Sequence, residues 1–346
     1  MHQLPSGKLI GNRYEIGEVI GQGGFGITYR GFDRTFEVTV AIKEYYPSGI
    51  ASRYCTQSTE VLVGGEENTR IFSEGKEKFL SEARILARVS DDPNIVNVRD
   101  FFEENNTAYI VMQYLEGENL KDYSEHHGKM SFNEAFELLR PIMRSLGFLH
   151  ESGLIHRDIS PSNMILLANG TVKLIDFGTT RQISAGGEKS LSVLLNPGYA
   201  PPEQYRTRGS QGPWTDVYAM CASLYKLITG EIPENSLNRL MDDNLKAPSM
   251  LGAVITPPQE AALIKGMALD SEERYQSMAE LEKALETGLI IAASEEPDTI
   301  SGAVDEDVTI MGPQDIRIPV AQSKKSAPEQ VNDWKKPATE QNDNIC

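Results

Sequence analysis

The chain has 346 residues, 40% hydrophobic and 24% charged, an ordinary globular composition whose length fits one large domain with a tail or two modest domains. A formal charge of −17 argues against nucleic acid or an anionic membrane surface as a partner of the whole chain, because both are polyanions. Cys55, Cys221 and Cys346 stand far apart with no CxxC pair, which argues against a disulfide framework or a cysteine-built zinc site and reads as the reduced thiols of a cytoplasmic protein.

The opening MHQLPSGKLIGNRY lacks the apolar core of a signal peptide, and residues 1–12 read as a lead. No apolar run approaches the ~20 residues of a membrane-spanning helix, so no membrane span is expected. YEIGEVIGQGGFGITYRGFD (14–33) gives two β-rich stretches around a glycine cluster, and VTVAIKEYY (38–46) gives a third. Residues 47–75 read as a polar insertion with a short apolar run, Val61 to Val63, that suits an added hairpin. KEKFLSEARILARV (76–89) places Phe79, Leu80, Ala83, Leu86 and Ala87 on one helical face. AYIVMQYL (108–115) is a further strand, closed by Glu116 and Gly117.

Past residue 118 the pattern turns helical. FNEAFELLRPIMRSLGFLHESG (132–153) keeps a 3.6-residue apolar period and stops at a glycine. DVYAMCASLYKLITG (216–230) is apolar enough to be the buried centre of a helical domain, and QEAALIKGMA (259–268) and SMAELEKALETG (277–288) follow. A small β-rich part before a larger helical part predicts an α+β class. From Gly288 to the end there are eleven acids against five bases in a Pro-, Gln-, Asn- and Ser-rich stretch without periodicity, which reads as a disordered acidic tail over 288–346.

Several short motifs carry chemistry. In GQGGFG, Gly21, Gly23 and Gly26 lie between strand-like stretches, which disfavours a dinucleotide site and favours a loop whose backbone N–H groups fold over phosphates. VAIK ends an apolar strand with Lys43, and the next helix offers Glu82 to hold its ammonium over phosphates; Glu77 competes, but Glu82 lies mid-helix among apolar positions. HRDISPSN supplies Asp158 to take a hydroxyl proton and Asn163 as a neutral metal ligand. Asp176, eighteen residues after Asp158 in LIDFG, supplies a carboxylate ligand of the kind Mg²⁺ takes.

The ordered set of glycine loop, lysine, glutamate, HRD with its Asn, and DFG resembles the serine/threonine protein kinases of the eukaryotic type found in bacteria. The resemblance covers residues 13–287. It implies a bilobal fold with an N-lobe over 13–115 and a C-lobe over 116–287. It also implies ATP in the cleft, Mg²⁺ or Mn²⁺ as the metal, and protein substrates, the chain itself included. IVMQYLEGENL resembles the hinge, with Met112 as gatekeeper and Gln113 and Leu115 beside the adenine, against which Thr28 and Ala41 would pack from one side. GYAPPEQY resembles the end of the activation segment. Asp216 resembles the residue that braces the HRD backbone, and Arg274 the partner of Glu203.

The pattern also departs from the family. The lysine expected two residues after Asp158 is Ser160, the arginine that tyrosine kinases carry four residues after it is Ser162, and the threonine expected before PGY is Asn196. The expectation is slower chemistry; a nucleotide-binding pseudokinase scaffold and a small-molecule phosphotransferase are the alternatives. Arg157 beside Asp158 implies a switch relieved by a phosphate on the segment holding Ser190 and Ser192, which otherwise read as ordinary loop serines. In the tail, Thr299 and Thr309 follow acids and precede Ile, a style that resembles docking sites for forkhead-associated domains, against the plainer reading of a solvated acidic linker.

Overall fold

The computed structural model describes residues 3–54, 58–89, 91–176, 195–206 and 209–294, with the backbone alone over 288–294. The first half is built of strands, with buried residues alternating along Gly26–Asp33 and burial nearly continuous along Thr107–Gln113. Strands β1 (Leu9–Ile10), β2 (Tyr14–Gln22), β3 (Gly26–Asp33) and β4 (Val38–Tyr45) run antiparallel in sequence order. Further on, β7 (Val98–Glu104) and β8 (Thr107–Gln113) complete a six-stranded sheet in the order β1-β2-β3-β4-β8-β7. Of the residues read as a lead, Leu9 and Ile10 thus belong to this sheet, and Leu4 packs into the core, its N–H donating to the Tyr29 hydroxyl at 3.0 Å.

Between β4 and β7 the structure differs in one respect from the sequence expectation. The hairpin is there, as β5 (Ala51–Ser52) paired with β6 (Leu62–Val63). The helix α1, however, spans Glu66–Arg88 and starts ten residues before the predicted 76. Its first turns are polar outside, with Arg70 paired to Glu67 and Glu74, and bury only Ile71, Phe72 and Gly75. Two apolar side chains in two and a half turns are too sparse for a periodicity reading. They suffice here because Tyr45 meets both Phe72 and Phe79, at ring-centroid distances of 5.0 and 5.6 Å.

The second half is helical. After β9 (Gly117–Asn119) come α2 (Leu120–His127) and α3 (Phe132–Glu151), the latter opened by a Ser131–Glu134 capping box. Strands β10 (Met164–Leu167) and β11 (Val172–Leu174) form a small sheet with β9. Helix α4 (Pro213–Thr229) is buried on nearly every side, as its all-round apolar sequence requires. The short α5 (Ser236–Met241), α6 (Pro257–Gly266) and α7 (Met278–Ser294) follow. A Cβ at Gly266 would collide with Cys221 Sγ, so glycine there lets α6 close on α4. The two halves join through the segment before β7: Val96 N–H donates to Leu174 O at 3.0 Å and Leu174 N–H to Asn94 O at 2.7 Å. Among the described residues no helix is long and apolar enough to cross a membrane.

Candidate active site

Strand register gathers one half of the site. Thr28 pairs with Lys43, Gly21 with Thr28 and Ala41 with Met112, so these side chains and the glycine backbone share one face of the sheet. Gln113 ends β8, and it and Leu115 are partly buried where the chain leaves the sheet. The turn of the glycine loop is held by Gly23 N–H on Gly26 O at 3.0 Å, and the loop is tied to the end of β4 by Tyr46 N–H on Phe25 O at 2.9 Å. A Cβ at Gly26 would strike Glu44 O, so packing demands that glycine. At Gly23 a Cβ would meet nothing within 4 Å. The protein's own packing does not require a glycine there, whereas a ligand lying against the backbone would.

Lys43 Nζ donates to Asp176 Oδ1 at 2.7 Å. Burial disfavours its ammonium, but the charges of Asp176, Glu82 and Asp158 outweigh that cost and hold its pKa above the usual lysine value. The expected Lys43–Glu82 relationship therefore takes a shared form. Asp176 is the carboxylate bonded to the ammonium, and Glu82, buried on α1, is a further negative charge acting on it.

The other half comes from the loop before β10. Its backbone is braced by Asp216 in the first turn of α4, a fully buried carboxylate near a helix N-terminus. Asp216 accepts the N–H groups of His156 and Arg157, each at 2.8 Å, and the Nε2 of His150 lies 2.8 Å away. Arg157 (φ 67°) and Asp176 (φ 55°) both adopt left-handed backbone, a conformation that costs energy outside glycine and recurs at functional sites. Asn163 Nδ2 donates to both the main-chain oxygen and the Oδ2 of Asp158, each at 2.8 Å. Both partners can only accept, so the amide is oriented by chemistry, and its Oδ1 is the atom left for another ligand. Ile175 N–H donates to Asn163 O at 2.9 Å, which fixes Asp176 relative to this loop.

Two contacts onto the loop have little sequence signal. Asn196 Nδ2 donates to Asp158 Oδ1 at 2.8 Å, and Gln204 Nε2 donates to Arg157 O at 2.8 Å. The sequence marks Asn196 only as a departure and Gln204 not at all. Below them Glu203 and Arg274 form a buried pair at 2.7 and 3.0 Å. Burial pushes the Arg157 guanidinium below its usual pKa, Asp216 opposing, and its Nε finds no hydrogen-bond partner among the described residues. Ser190, Ser192, Thr299 and Thr309, like Phe177 of the DFG motif, lie outside the described residues.

A family profile described as a protein kinase domain matches residues 14–273. The chain belongs to that family. Its similar relatives include a probable serine/threonine-protein kinase of Clostridium perfringens, 29% identical over 283 residues, covering 80% of this chain and 38% of that protein. A probable serine/threonine-protein kinase PknB of Lactococcus lactis is 32% identical over 285 residues, covering 80% and 42%. The solved structure titled "PpkA-294 apo form" is 35% identical, with a TM-score of 0.72 over 82% of this chain and all of that one. The bilobal α+β fold expected from the sequence is the family's fold, and this chain spans about two fifths of the length of the two curated relatives.

Protein kinases use ATP with a divalent metal, and the residues here fit both. The open space at Gly23 and the buried ammonium of Lys43 suit a polyphosphate. Asn163 Oδ1 and the Asp176 carboxylate are hard oxygen donors of the kind that hold Mg²⁺ together with phosphate oxygens. A separate concavity of about 760 Å³ lies in the helical half between Arg206, Leu240 and Lys265, away from these groups.

Proposed function

We propose that this chain is an ATP- and Mg²⁺-dependent protein kinase that transfers the γ-phosphoryl group to serine and threonine hydroxyls of proteins, itself included. The observation that carries the reading is the Lys43 ammonium, bonded to Asp176 and flanked by Glu82 and Asp158, on the sheet face shared with Gly21, Thr28, Ala41 and Met112. Asp158 takes the proton of the attacking hydroxyl as its oxygen bonds phosphorus and the bond to the β-phosphate oxygen breaks. Lys43 and the glycine-loop amides oppose the negative charge of the phosphates, and Asn163 and Asp176 hold the metal, which supplies charge neutralisation when bound. Thr28 and Ala41 flank the adenine on one side, with Met112, Gln113 and Leu115 along its edge.

Ser160 and Ser162 bring no cation, so the reading includes a rate penalty. Losing one preorganised donor costs about 10²–10³ in rate. Autophosphorylation with Mg-ATP, wild type beside Asp176→Asn, tests the assignment. Labelling of the wild type alone is expected. Equal signal from both removes the kinase reading and leaves a nucleotide-binding scaffold.

The same reading takes residues 13–287 as the catalytic domain, 288–346 as an acidic extension, and the cytoplasm as the location. It assigns Thr299 and Thr309 as phosphorylation sites read by a forkhead-associated domain. Acids precede each threonine, and mass spectrometry after incubation with Mg-ATP is expected to find both modified; unmodified threonines reject that part.

A further inference from the structure

Glu44 follows Lys43 on β4, and the two side chains stand on opposite faces of the sheet. The buried Glu44 carboxylate accepts the hydroxyls of Tyr29 on β3 and Tyr109 on β8 at 2.9 and 3.0 Å, which ties the lysine strand to both of its neighbours. The same carboxylate receives the Arg53 guanidinium, and Arg53 Nε reaches on to Thr59 O at 3.2 Å. Arg53 directly follows β5, so these bonds fasten the β5–β6 hairpin to the back of β4. A second tie runs to the turn between β7 and β8. There Val61 N–H donates to Asn105 O at 2.9 Å, and Asn106 Nδ2 donates to Val61 O at 2.8 Å.

The hairpin leads straight into α1. Gly64 and Gly65 alone separate β6 from the helix, and the side chains of Asn68 and Thr69 donate back to their carbonyls at 3.0 and 2.8 Å. The start of the helix is thus set by the hairpin. Further along, Tyr45, on the same face of β4 as Lys43, packs on Phe72 and Phe79 of α1, and Lys76 pairs with Glu103 of β7. Glu82 follows Phe79 by about one turn and acts on the Lys43 ammonium as a charge, an interaction that weakens with distance.

We infer that Arg53 is a positioning residue: through Glu44 and the hairpin it clamps α1 against the sheet and holds Glu82 at its working distance from Lys43. The inference rests on the kinase reading above and gives the insertion between β4 and α1 a task in phosphoryl transfer. Arg53 performs that task from the sheet face opposite Lys43, through other residues alone.

Arg53→Lys keeps a cation for Glu44, but an ammonium lacks the planar fork that spans the carboxylate and Thr59 O together. In the full chain this substitution is compared with Arg53, in both the Glu82 and the Glu82→Gln backgrounds, by steady-state kinetics and amide hydrogen exchange. Exchange across residues 76–86 of α1 is expected to quicken about tenfold, the equivalent of one hydrogen bond, while that of α4 stays within about twofold. The kcat/KM for ATP is expected to fall about tenfold with Glu82 present and less than about twofold with Glu82→Gln, because the clamp acts through that carboxylate. A chain merely loosened by the substitution loses the same factor in both backgrounds. Equal losses, no loss in either, or unchanged exchange in α1 each overturn the inference. Asn106→Gly cuts the second tie at a residue already in left-handed backbone, φ 59°, and repeats the comparison if Arg53→Lys does not fold. Equal labelling of wild type and Asp176→Asn removes the kinase reading instead, and exchange in α1 then decides by itself whether the clamp exists.

Discussion

Arg53, in the segment between β4 and α1, places its guanidinium on the carboxylate of Glu44, the residue after Lys43, with both side chains shut off from solvent at 1% and 0% exposure. Tyr29 and Tyr109 hydroxyls donate to the same carboxylate at 2.9 and 3.0 Å. Arg53 Nε holds Thr59 O at 3.2 Å, and its guanidinium lies 5.0 Å from the centre of the Tyr46 ring. Strand alternation puts Glu44 on the sheet face opposite Lys43, so the insertion backs the strand that carries the lysine. Removing one member of such a pair strands a buried charge and costs about 3–5 kcal/mol, whereas an apolar pair of similar volume is close to neutral. Denaturant unfolding is expected to show large losses for Arg53→Met and for Glu44→Leu, and recovery of most of the loss in the double variant. Additive losses in the double variant would mean that the two side chains do not act as a pair.

The Lys43–Asp176 bond predicts a different pattern. Lys43→Met keeps the bulk of the side chain but leaves Asp176, Glu82 and Asp158 without the cation they share. Phosphoryl transfer is expected to fall by about 10²–10³ or more. The sign of the pH dependence follows from the raised pKa of the ammonium. Its contribution to stability is complete below the ordinary lysine value of 10.5 and is lost only as pH rises past the higher folded value. The stability difference between Lys43→Met and wild type should therefore stay level from about pH 6 to 9. A difference that collapses within that window would mean that the ammonium is not held as described.

These relationships differ in how far the sequence discloses them. The glycine loop, Lys43, Asp158, Asn163 and Asp176 lie in contiguous motifs whose residue types have few other uses together, so the family and the candidate site are legible in the order of the residues alone. Asp216 and Arg274 could also be placed, because the motifs that hold them resemble the family's. The Arg53–Glu44 pair could not. Glu44 looks like one more polar strand residue, and Arg53 lies in a segment with no periodicity, so only the folded chain shows that they meet. The early start of α1 was hidden for a related reason: ion pairs and the Tyr45–Phe72 contact hold its first turns, and neither leaves an apolar repeat. Asn196 was visible as an anomaly, but its bond to Asp158 is a property of the turn that presents it.

Acid should weaken the sheet at a definable place. Arg13 grips Asp33 through Nε and Nη2 at 2.8 and 2.7 Å, and the N–H groups of Thr35 and Phe36 donate to the same carboxylate. The Arg13 bond, assisted by those N–H groups and opposed by burial, lowers the Asp33 pKa from its ordinary 3.8. A depressed carboxylate contributes stability that is complete above the unfolded value and is lost as pH falls through the folded one. Asp33→Asn is expected to melt earlier than wild type by a constant margin at about pH 5 to 7, and the margin should shrink below about pH 4. Melting curves across that range check it, and a margin that persists at low pH would rule out the ionised pair as its source.

Arg157 carries the regulatory prediction. Its backbone is held in left-handed conformation by Asp216 and Gln204, its guanidinium is partly buried, and burial lowers its pKa. A partly buried cation that makes no ion pair among the described residues favours any phosphate brought to it, and each charge-assisted bond so formed is worth roughly 1.5–3 kcal/mol. Ser190 and Ser192 are the proposed carriers of that phosphate. Preincubation with Mg-ATP is expected to raise wild-type activity toward an added protein substrate by about tenfold or more, the equivalent of one such bond. The Ser190→Ala/Ser192→Ala double variant should keep the basal rate and lose the rise, and Arg157→Ala should lose the rise even when the serines are modified. Activation that survives the double variant places the phosphate elsewhere, and activation that survives Arg157→Ala removes the arginine as its receiver.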